Sequence, residues 1–461
     1  MGGLMAALNS GRTSLQTNQK AIEITGLNVA NVNTPGYSRQ TPNLTPYPAL
    51  AFGEFFTGTG VTVGSIERSH DVFLSNQINE KNVASGFENA MTNPLAEIER
   101  AIGIGDGSLA DEFNQFFDSL RQLSTNPGGE VERQMVLQQG SLIGDAFRST
   151  YDDLQQVSKN INDSLVSKID GINMRTAEIA DLNKRISGFE LAGQDANSDR
   201  DRRDLLVKEL STIIGSKSFE TSNGSVSLQL PNGMPLVEAD QASVVKGTVS
   251  GTDLLLSINF GGTDLSLDRS ALGGELGGLY EVRDVKIPDL VDRLDLLAFT
   301  FANEVNALHS AGTGLDGVSG RDFFVPPNPL TGAVGMASSL SMNITQTAEI
   351  AAGTTSAPGD NTNVLSMLNL EQKQTVGTDT FVSYYGKIAA SVGVEASRNR
   401  QASQGLEDSL VQLQNLRDGI DGVSLEEEMI NLLKYQRGFE ASAKFLSTVD
   451  EMMASLLELK R

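Results

Sequence analysis

Apolar residues spaced by seven open the chain and close it. Leu8, Leu15, Ile22 and Val29 form one stripe, and the positions three further on, Gly11, Asn18, Thr25 and Val32, are mostly small or polar. A sustained heptad predicts a helix that packs along another helix. This stripe is narrow, and the other faces carry Asn, Gln, Thr and Ser. Such a helix buries too little surface alone to offset its ordering cost, so it requires a partner. Asn33-Thr34-Pro35-Gly36-Tyr37 ends it, because proline drives Thr34 out of the α region and Pro-Gly suits a tight turn. From Tyr37 to Val63, Pro42, Pro46, Pro48, Gly53, Gly58 and Gly60 predict a connector or short hairpin.

Between about Asp71 and Gly193 the pattern is helical, broken at Asp106-Gly107-Ser108 and at Asn126-Pro127-Gly128-Gly129. Beyond the second break Leu165, Ile172, Ile179 and Ile186 recur by sevens, flanked by Leu154, Ile161 and Leu182. They predict one helix of roughly 60 residues, about 90 Å long, and hence an elongated molecule. From about Ser218 the period changes to two. Val226, Leu228 and Leu230 precede Pro231-Asn232-Gly233; Leu256, Ile258 and Phe260 precede Gly261-Gly262, with a return through Leu265 and Leu267. Alternation with Gly-bearing turns predicts antiparallel hairpins.

Helix resumes from about Gly277 to His309 on Leu290, Leu294, Leu297, Phe301, Val305 and Leu308. Residues 310–372, rich in Gly, Ser, Thr and Pro, predict a small irregular module or long surface loops. Tyr385, Val392, Leu406, Leu413 and Ile420 then share a heptad register with polar Asn399 in its gap, until Asp421-Gly422 interrupts. Ser424 with Glu427 predicts a capping box for a last helix whose first turn is acidic. In that helix Leu425, Leu432, Phe439, Leu446 and Met453 are spaced by seven, and Tyr435, Val449 and Leu456 fill part of the adjacent seam. The two ends are therefore expected to pair with each other and with other copies.

The expected fold is mostly α with an inserted β module. It is an elongated multi-domain chain with paired N- and C-terminal coiled-coil helices, a long helical bundle and a small antiparallel β domain. Residues 1–40 with 421–461 would form a terminal helical domain, and 41–217 with 275–309 and 373–420 an elongated helical domain. Residues 218–274 would form the β module and 310–372 the irregular outer module. A length of 461 residues suits about three domains.

Composition narrows the chemistry. With 35 basic and 58 acidic residues the net charge is −23, which opposes nucleic-acid binding unless a basic patch exists, and none is evident. The absence of cysteine removes disulfides, thiolate metal sites and Cys nucleophiles. Only two histidines, His70 and His309, are present, neither in H-E-x-x-H; His309 is expected to end a helix and meet its exposed carbonyls. No apolar run approaches a membrane span, and the first residues lack the basic start of a secretory signal. Gly312-Thr313-Gly314-Leu315-Asp316-Gly317 matches G-x-G-x-x-G, but a helix precedes it instead of a strand, so it reads as a loop. Asp199-Arg200-Asp201-Arg202-Arg203-Asp204 reads as a solvated helix start with local ion pairs, or as an intersubunit contact. No catalytic, cofactor or metal site is expected, and no enzyme activity; a carboxylate-only glycosidase is the weakest of the chemistries motifs leave open.

Two terminal signatures carry a resemblance. Asn28-Val29-Ala30-Asn31-Val32-Asn33-Thr34-Pro35-Gly36-Tyr37 resembles the N-terminal motif of the flagellar axial family of rod, hook and hook-associated proteins, with Asn28, Asn31, Thr34, Gly36 and Tyr37 as its motif residues. Ser38-Arg39-Gln40-Thr41-Pro42 looks more like the hook-associated members than like rod or hook subunits. Leu425-Glu426-Glu427-Glu428, continuing through Asn431-Leu432-Leu433-Lys434-Tyr435-Gln436-Arg437-Gly438-Phe439-Glu440-Ala441-Ser442-Ala443-Lys444, is similar to the family's C-terminal signature. Gly273-Gly274-Glu275-Leu276-Gly277-Gly278-Leu279 and Asp201-Arg202-Arg203-Asp204-Leu205-Leu206 resemble internal segments of the same proteins.

The resemblance implies a structural subunit at the junction of hook and filament, with terminal helices that order on assembly and line an inner tube. It implies a ring of about eleven copies. Its other implied partners are the hook protein, a second junction protein or the filament side, and an export chaperone, with no nucleic acid and no membrane. It also implies an extracellular site on the flagellum, reached by type III export without a cleaved signal. The assembly interface would comprise Leu8, Leu15, Ile22, Val29, Leu425, Leu432, Tyr435, Phe439, Leu446 and Met453. The alternatives are a hook or distal-rod subunit, or an axial protein whose insert is adhesive or carbohydrate-active.

Overall fold

The computed structural model describes residues 2–52, 55–221, 223–250 and 253–458; residue 1 and residues 459–461, the outermost positions of the expected terminal domain, lie outside the described residues. Helix α1 (Gly2–Ala30) leads into strands β1 (Gln40–Pro46), β2 (Leu50–Phe52), β3 (Phe55–Thr57) and β4 (Val61–Arg68). The connector is thus a hairpin. β1 pairs with β4 antiparallel from Gln40↔Arg68 to Pro46↔Val61, with a bulge at Asn43/Leu44. Pro42 and Pro46 are tolerated because a two-stranded sheet has only edge strands.

Three helices follow, α2 (Val72–Ala101), α3 (Leu109–Thr125) and α4 (Glu130–Leu191), separated at the two breaks the sequence marks. Asp71 and Ser108 cap the first two, accepting from the N–H groups of Leu74 (3.0 Å) and Asp111 (3.4 Å). α4 is 62 residues long, about 90 Å at 1.5 Å per residue. Its inward stripe Leu154, Ile161, Leu165, Ile172, Ile179 and Ile186 is fully buried or nearly so. After α5 (Asn197–Ile214) come two antiparallel sheets: β5 (Lys217–Glu220), β6 (Val226–Gln229), β7 (Pro235–Glu238) and β8 (Gln241–Ala242), then β9 (Val244–Ser250), β10 (Asp253–Phe260) and β11 (Thr263–Leu267). Gly261 and Gly262, both at positive φ, make the tight turn between β10 and β11. Asn183 and Asn173 of α4 dock the two sheets. Asn183 donates to the carbonyls of Val226 and Ala239 (both 2.8 Å), and Asn173 donates to that of Val245 (2.8 Å).

α6 (Gly274–Glu281) runs through one π turn into α7 (Ile287–Ala311). Residues 312–380 hold only short helices, α8 (Met336–Ser339) and α9 (Thr362–Leu368), with two 3₁₀ turns. Their order comes from anchors on the long helices. The Asp295 carboxylate accepts the N–H groups of Gly335 (2.8 Å) and Ala337 (2.7 Å). The buried Arg133 guanidinium donates to the carbonyls of Pro127, Thr347 and Ile350. Beneath them lies an aromatic cluster: Phe301 packs edge-on against Phe113, Phe116 and Phe381 at centroid distances of 4.9, 5.6 and 5.2 Å.

His309 is completely buried and does not act on its own helix end. Ala351 N–H donates to Nε2 (3.0 Å), so Nδ1 carries the proton and donates to Arg321 O (2.7 Å). Burial, the dominant cause, holds its pKa below the ordinary value. The Gly312–Gly317 segment is a loop after α7, with Thr313 bridging to Ser319 and Gly353.

The chain ends in α10 (Phe381–Ile420) and α11 (Leu425–Glu458). α10 lies along α2, where buried Asn399 pins the pair by donating to Glu88 O (2.8 Å) and accepting from Thr92 Oγ1 (3.0 Å). α11 returns along α1, so the two ends of the chain form one antiparallel helix pair.

Candidate functional site

The α1–α11 pair approaches closely because small residues line its seam. A Cβ on Gly11 would lie 3.0 Å from both Leu446 and Phe445, and one on Gly438 would lie 2.6 Å from Asn18 Oδ1. Between these points Ser14 and Ser442 share a hydrogen bond of 2.9 Å. The other side of α1 rests on the hairpin, where Thr13 donates to Thr59 O (3.0 Å) and Thr17 to Val61 O (2.7 Å).

The heptad residues stay only half-covered. Leu8, Leu15, Ile22 and Val29, like Leu432, Tyr435, Phe439, Leu446 and Met453, are partly exposed, and Leu425 is exposed. Among the described residues of the pair, Ile24 and Val449 are the large apolar side chains that bury fully; the other buried positions are alanines, Gly11, Thr17, Thr25, Asn28, Glu428 and Ser442. Met429, Ile430, Leu433 and Met452 on α11 are at least half exposed. Ala21, Ile24, Asn28 and Val449 therefore do much of the intramolecular packing, and the heptad rule alone does not select the first three.

At the joint between this pair and the body, the motif residues separate into two groups. Asn28 is buried and uses every polar atom of its amide. Nδ2 donates to Gln40 O (2.8 Å) and Glu428 Oε2 (3.0 Å), while Oδ1 accepts from Tyr37 OH (2.8 Å) and Gln40 N–H (3.0 Å). Tyr37 is held up at about 12 by burial first, then by the charges of Asp201 and Glu428, so it stays a protonated donor. Gly36, at φ +82°, takes a left-handed turn against Leu205, whose Cβ would sit 3.2 Å from an added methyl. Asn31 and Thr34 stay at the surface and brace the turn, Thr34 Oγ1 donating to Asn31 Oδ1 (3.1 Å).

Two arginines on the hairpin grip the two bodies. Arg39 pairs with Glu428 (2.8 Å) and Glu427 (2.9 Å) of α11; Arg68, across the ladder, pairs with Asp201 (3.0 Å) and Asp204 (2.7 Å) of α5. Glu428 is 2% exposed and shared between Arg39 and Asn28, whereas the Glu427 pair is solvated and adds little. The expected capping box is half formed. Ser424 Oγ accepts weakly from Glu427 N–H (3.5 Å), but the Glu427 carboxylate turns to Arg39 instead of back to the helix start.

The Asp199–Asp204 run is only partly solvated: Arg202 is exposed, but Asp201 and Arg203 are buried, and its one internal ion pair, Arg203 with Asp204 at 3.9 Å, is long beside its pairs to other elements. Asp201 accepts Ser38 N–H (3.1 Å) besides Arg68, and burial raises its pKa despite these two partners. Arg203, 1% exposed, donates to Gly224 O (2.6 Å) and Asn183 Oδ1 (3.2 Å). Arg200 reaches Glu190 and Glu220, Arg202 reaches Glu178, and Asp199 reaches Arg185. Asp199, Arg200, Arg202 and Arg203 thus turn to α4, Arg200 also to β5, and Asp201 and Asp204 to the hairpin. His70 sits beside Asp204 (4.0 Å), its pKa lowered by burial and then by Arg68. Nothing in this arrangement aligns a nucleophile with a base. Among the described residues, no group of carboxylates and histidines is placed to hold a metal, and no helix is long and apolar enough to cross a membrane. What the joint can do is fix the angle and register of a half-covered helix pair.

Comparison with known proteins accounts for both ends and the middle. Family models described as "Flagellar hook-associated protein FlgK helical domain", "Flagellar basal body rod FlgEFG protein C-terminal" and "Flagella basal body rod protein" match residues 95–324, 421–459 and 8–37. The chain is 29% identical to "Flagellar hook-associated protein 1" of Bacillus subtilis (strain 168), over 99% of this chain and 98% of the relative. It is 23% identical to the protein of the same name from Escherichia coli (strain K12), over 99% and 100%. The fold is similar to the solved structure of the flagellar hook junction protein FlgK from Burkholderia pseudomallei, with a TM-score of 0.67 and 15% identity, covering 75% of this chain and all of that one.

Proposed function

We infer the working of this protein from its kinship: the chain belongs to the family of flagellar hook-associated protein 1 and is a structural, non-enzymatic subunit of the hook–filament junction. It assembles in the flagellum with hook and filament proteins. Relatives that match along the whole chain carry the junction protein's name, which favours this role over a hook or distal-rod subunit.

The proposed mechanism is assembly-coupled completion of a core. The half-covered stripe of Leu8, Leu15, Ile22 and Val29, with that of Leu425, Leu432, Tyr435, Phe439, Leu446 and Met453, becomes buried between copies in the inner wall of the tube. The supporting observation is that, among the described residues, Ile24 and Val449 are the large apolar side chains the isolated pair buries fully. Full burial of a Leu or Phe contributes about 1.5–3 kcal/mol, so each stripe gains most of its stabilisation only when neighbours cover it. Arg39, Arg68 and Asn28 set the angle at which the pair meets the body. The terminal segments 1–40 and 421–461 act as the inner domain, with 41–217, 275–309 and 373–420 as the wall around it and 218–274 and 310–372 outermost.

A ring of about eleven copies would be a closed heterologous arrangement of this kind. Delivery through the flagellar export channel without a cleaved signal, with a chaperone covering the C-terminal segment beforehand, suits ends whose stripes lack cover in the monomer. The test is genetic: deleting the gene should leave hooks without filaments and release flagellin into the medium, and filaments of normal length in the deletion strain would reject the reading.

A further inference from the structure

Residues 350–353 run through the irregular region as a buried strap, with Ile350, Ala351 and Ala352 at most 3% exposed. Its carbonyls are held by groups that do not titrate. Arg133 of α4 donates to Ile350 O (2.8 Å), and Thr313 N–H donates to Gly353 O (2.8 Å). Its Ala351 N–H is held instead by His309 Nε2, while the other ring nitrogen is committed to Arg321 O. The strap in turn carries α9. Asn363 Nδ2 donates to Ala351 O (2.7 Å), and the N–H groups of Asn363 and Val364 donate to Ala352 O (3.1 and 3.0 Å).

A second proton on the His309 ring would set Nε2–H against Ala351 N–H, donor against donor at 3.0 Å. It would also place a full charge at a completely buried position. The surroundings do not neutralise that charge. α4 brings the cation Arg133, and its Glu130 is turned to Thr347 Oγ1 (2.7 Å). The loop after α7 brings Arg321, paired with Asp316, and Asp322, whose charge favours the proton but which finds both ring nitrogens taken by backbone. Glu349 is occupied by the N–H groups of Thr345 and Gln346, Glu304 of α7 is paired with Lys373, and α9 carries no charged residue. On its remaining side the ring meets the edge of Phe323, 5.3 Å between centroids. Burial, the dominant cause, holds the ring's pKa below the ordinary histidine value in the closed strap. With the strap lifted, the ring meets water and binds a proton more readily. The closed state therefore loses stability as pH falls below about 6.5.

We propose that His309 is an acid-operated latch: a proton on its Nε2 releases the strap at Ala351 and loosens α9 with it, while the long helices stay folded. The latch is complete within one chain and needs no neighbouring copy.

Hydrogen exchange read by mass spectrometry on the full chain tests this, with labelling times scaled to the intrinsic exchange rate at each pH. Between about pH 7.5 and about pH 5.0 the amides of residues 350–353 and 362–367 should exchange about tenfold faster or more, while residues 154–186 of α4 stay protected through the same labelling times. His309→Gln keeps an acceptor for Ala351 N–H and takes no proton, so its strap should change by less than about threefold over that range. His70→Gln removes the other histidine and should leave the response as in the wild type. Flat scaled exchange of the wild-type strap, α4 amides released together with it, a response that survives His309→Gln, or one that His70→Gln abolishes would each overturn the proposal. Should His309→Gln not fold, the wild-type comparison and His70→Gln still decide between these outcomes.

Discussion

Asn28→Asp changes one atom of the joint from a double donor to an acceptor. In the wild-type chain Nδ2 donates to Gln40 O and to Glu428 Oε2, the latter at 3.0 Å. The variant loses both bonds, at about 1 kcal/mol each, and sets a carboxylate oxygen in their place. Two unit charges at that separation repel by about 5 kcal/mol at an effective dielectric of 20. Arg39, on the other oxygen of Glu428 at 2.8 Å, offsets part of this, leaving a net loss of about 3–5 kcal/mol in the free energy that holds the joint closed. At 1.4 kcal/mol per decade, the amides of residues 38–40 and 428–432 should exchange at least about a hundredfold faster. Helices α3 and α4, which share no hydrogen bond with the network, should be unchanged. Hydrogen exchange read by mass spectrometry on the full chain makes the measurement. Adding Glu428→Gln restores a donor opposite Asp at position 28 and should recover about tenfold or more. Exchange in Asn28→Asp within threefold of wild type, or a second substitution that adds its own loss, would refute the reasoning.

Phe439→Asp or Leu446→Asp should abolish incorporation into flagella and hence swimming, while the melting temperature of the body stays within about 2 °C, because neither residue contributes to the central core; wild-type motility in either would count against the stripe. Acidification should weaken the fold below about pH 6.5. Both histidines have pKa values lowered by burial, so between the folded value and about 6.5 the unfolded chain binds more protons and stability falls with pH. For His309 the added proton would face Ala351 N–H. A melting temperature flat from about pH 7.5 to 5.5 would contradict this assignment.

Helices and hairpins were legible wherever a single periodicity dominated. The heptad Leu165, Ile172, Ile179, Ile186 marked α4 because that stripe faces one continuous core. The seam between α1 and α11 was not legible in the same way. Its closest contacts are Gly11, Ser14, Gly438 and Ser442, and small residues leave no hydrophobic signal. Nor could the role of Asn28 be read locally, since Gln40 lies 12 residues away and Glu428 400 away. The Asp199–Asp204 run looked solvated because charges usually are. Its partners Arg68, Glu178, Glu190 and Glu220 come from other elements, and only the tertiary fold brings them within reach. The irregular region 310–372 gave no periodicity because its order comes from Asp295, Arg133 and His309 on neighbouring helices.

Hydrogen exchange across α1 and α11, compared between the dilute purified chain and intact flagella, tests the central claim most directly. In the purified chain protection should be greatest at the Asn28–Glu428 joint and fall toward residue 4 on one helix and residue 458 on the other. In flagella both helices should be protected along their length. Equal, strong protection of residues 436–458 in the dilute chain would contradict a core completed by assembly.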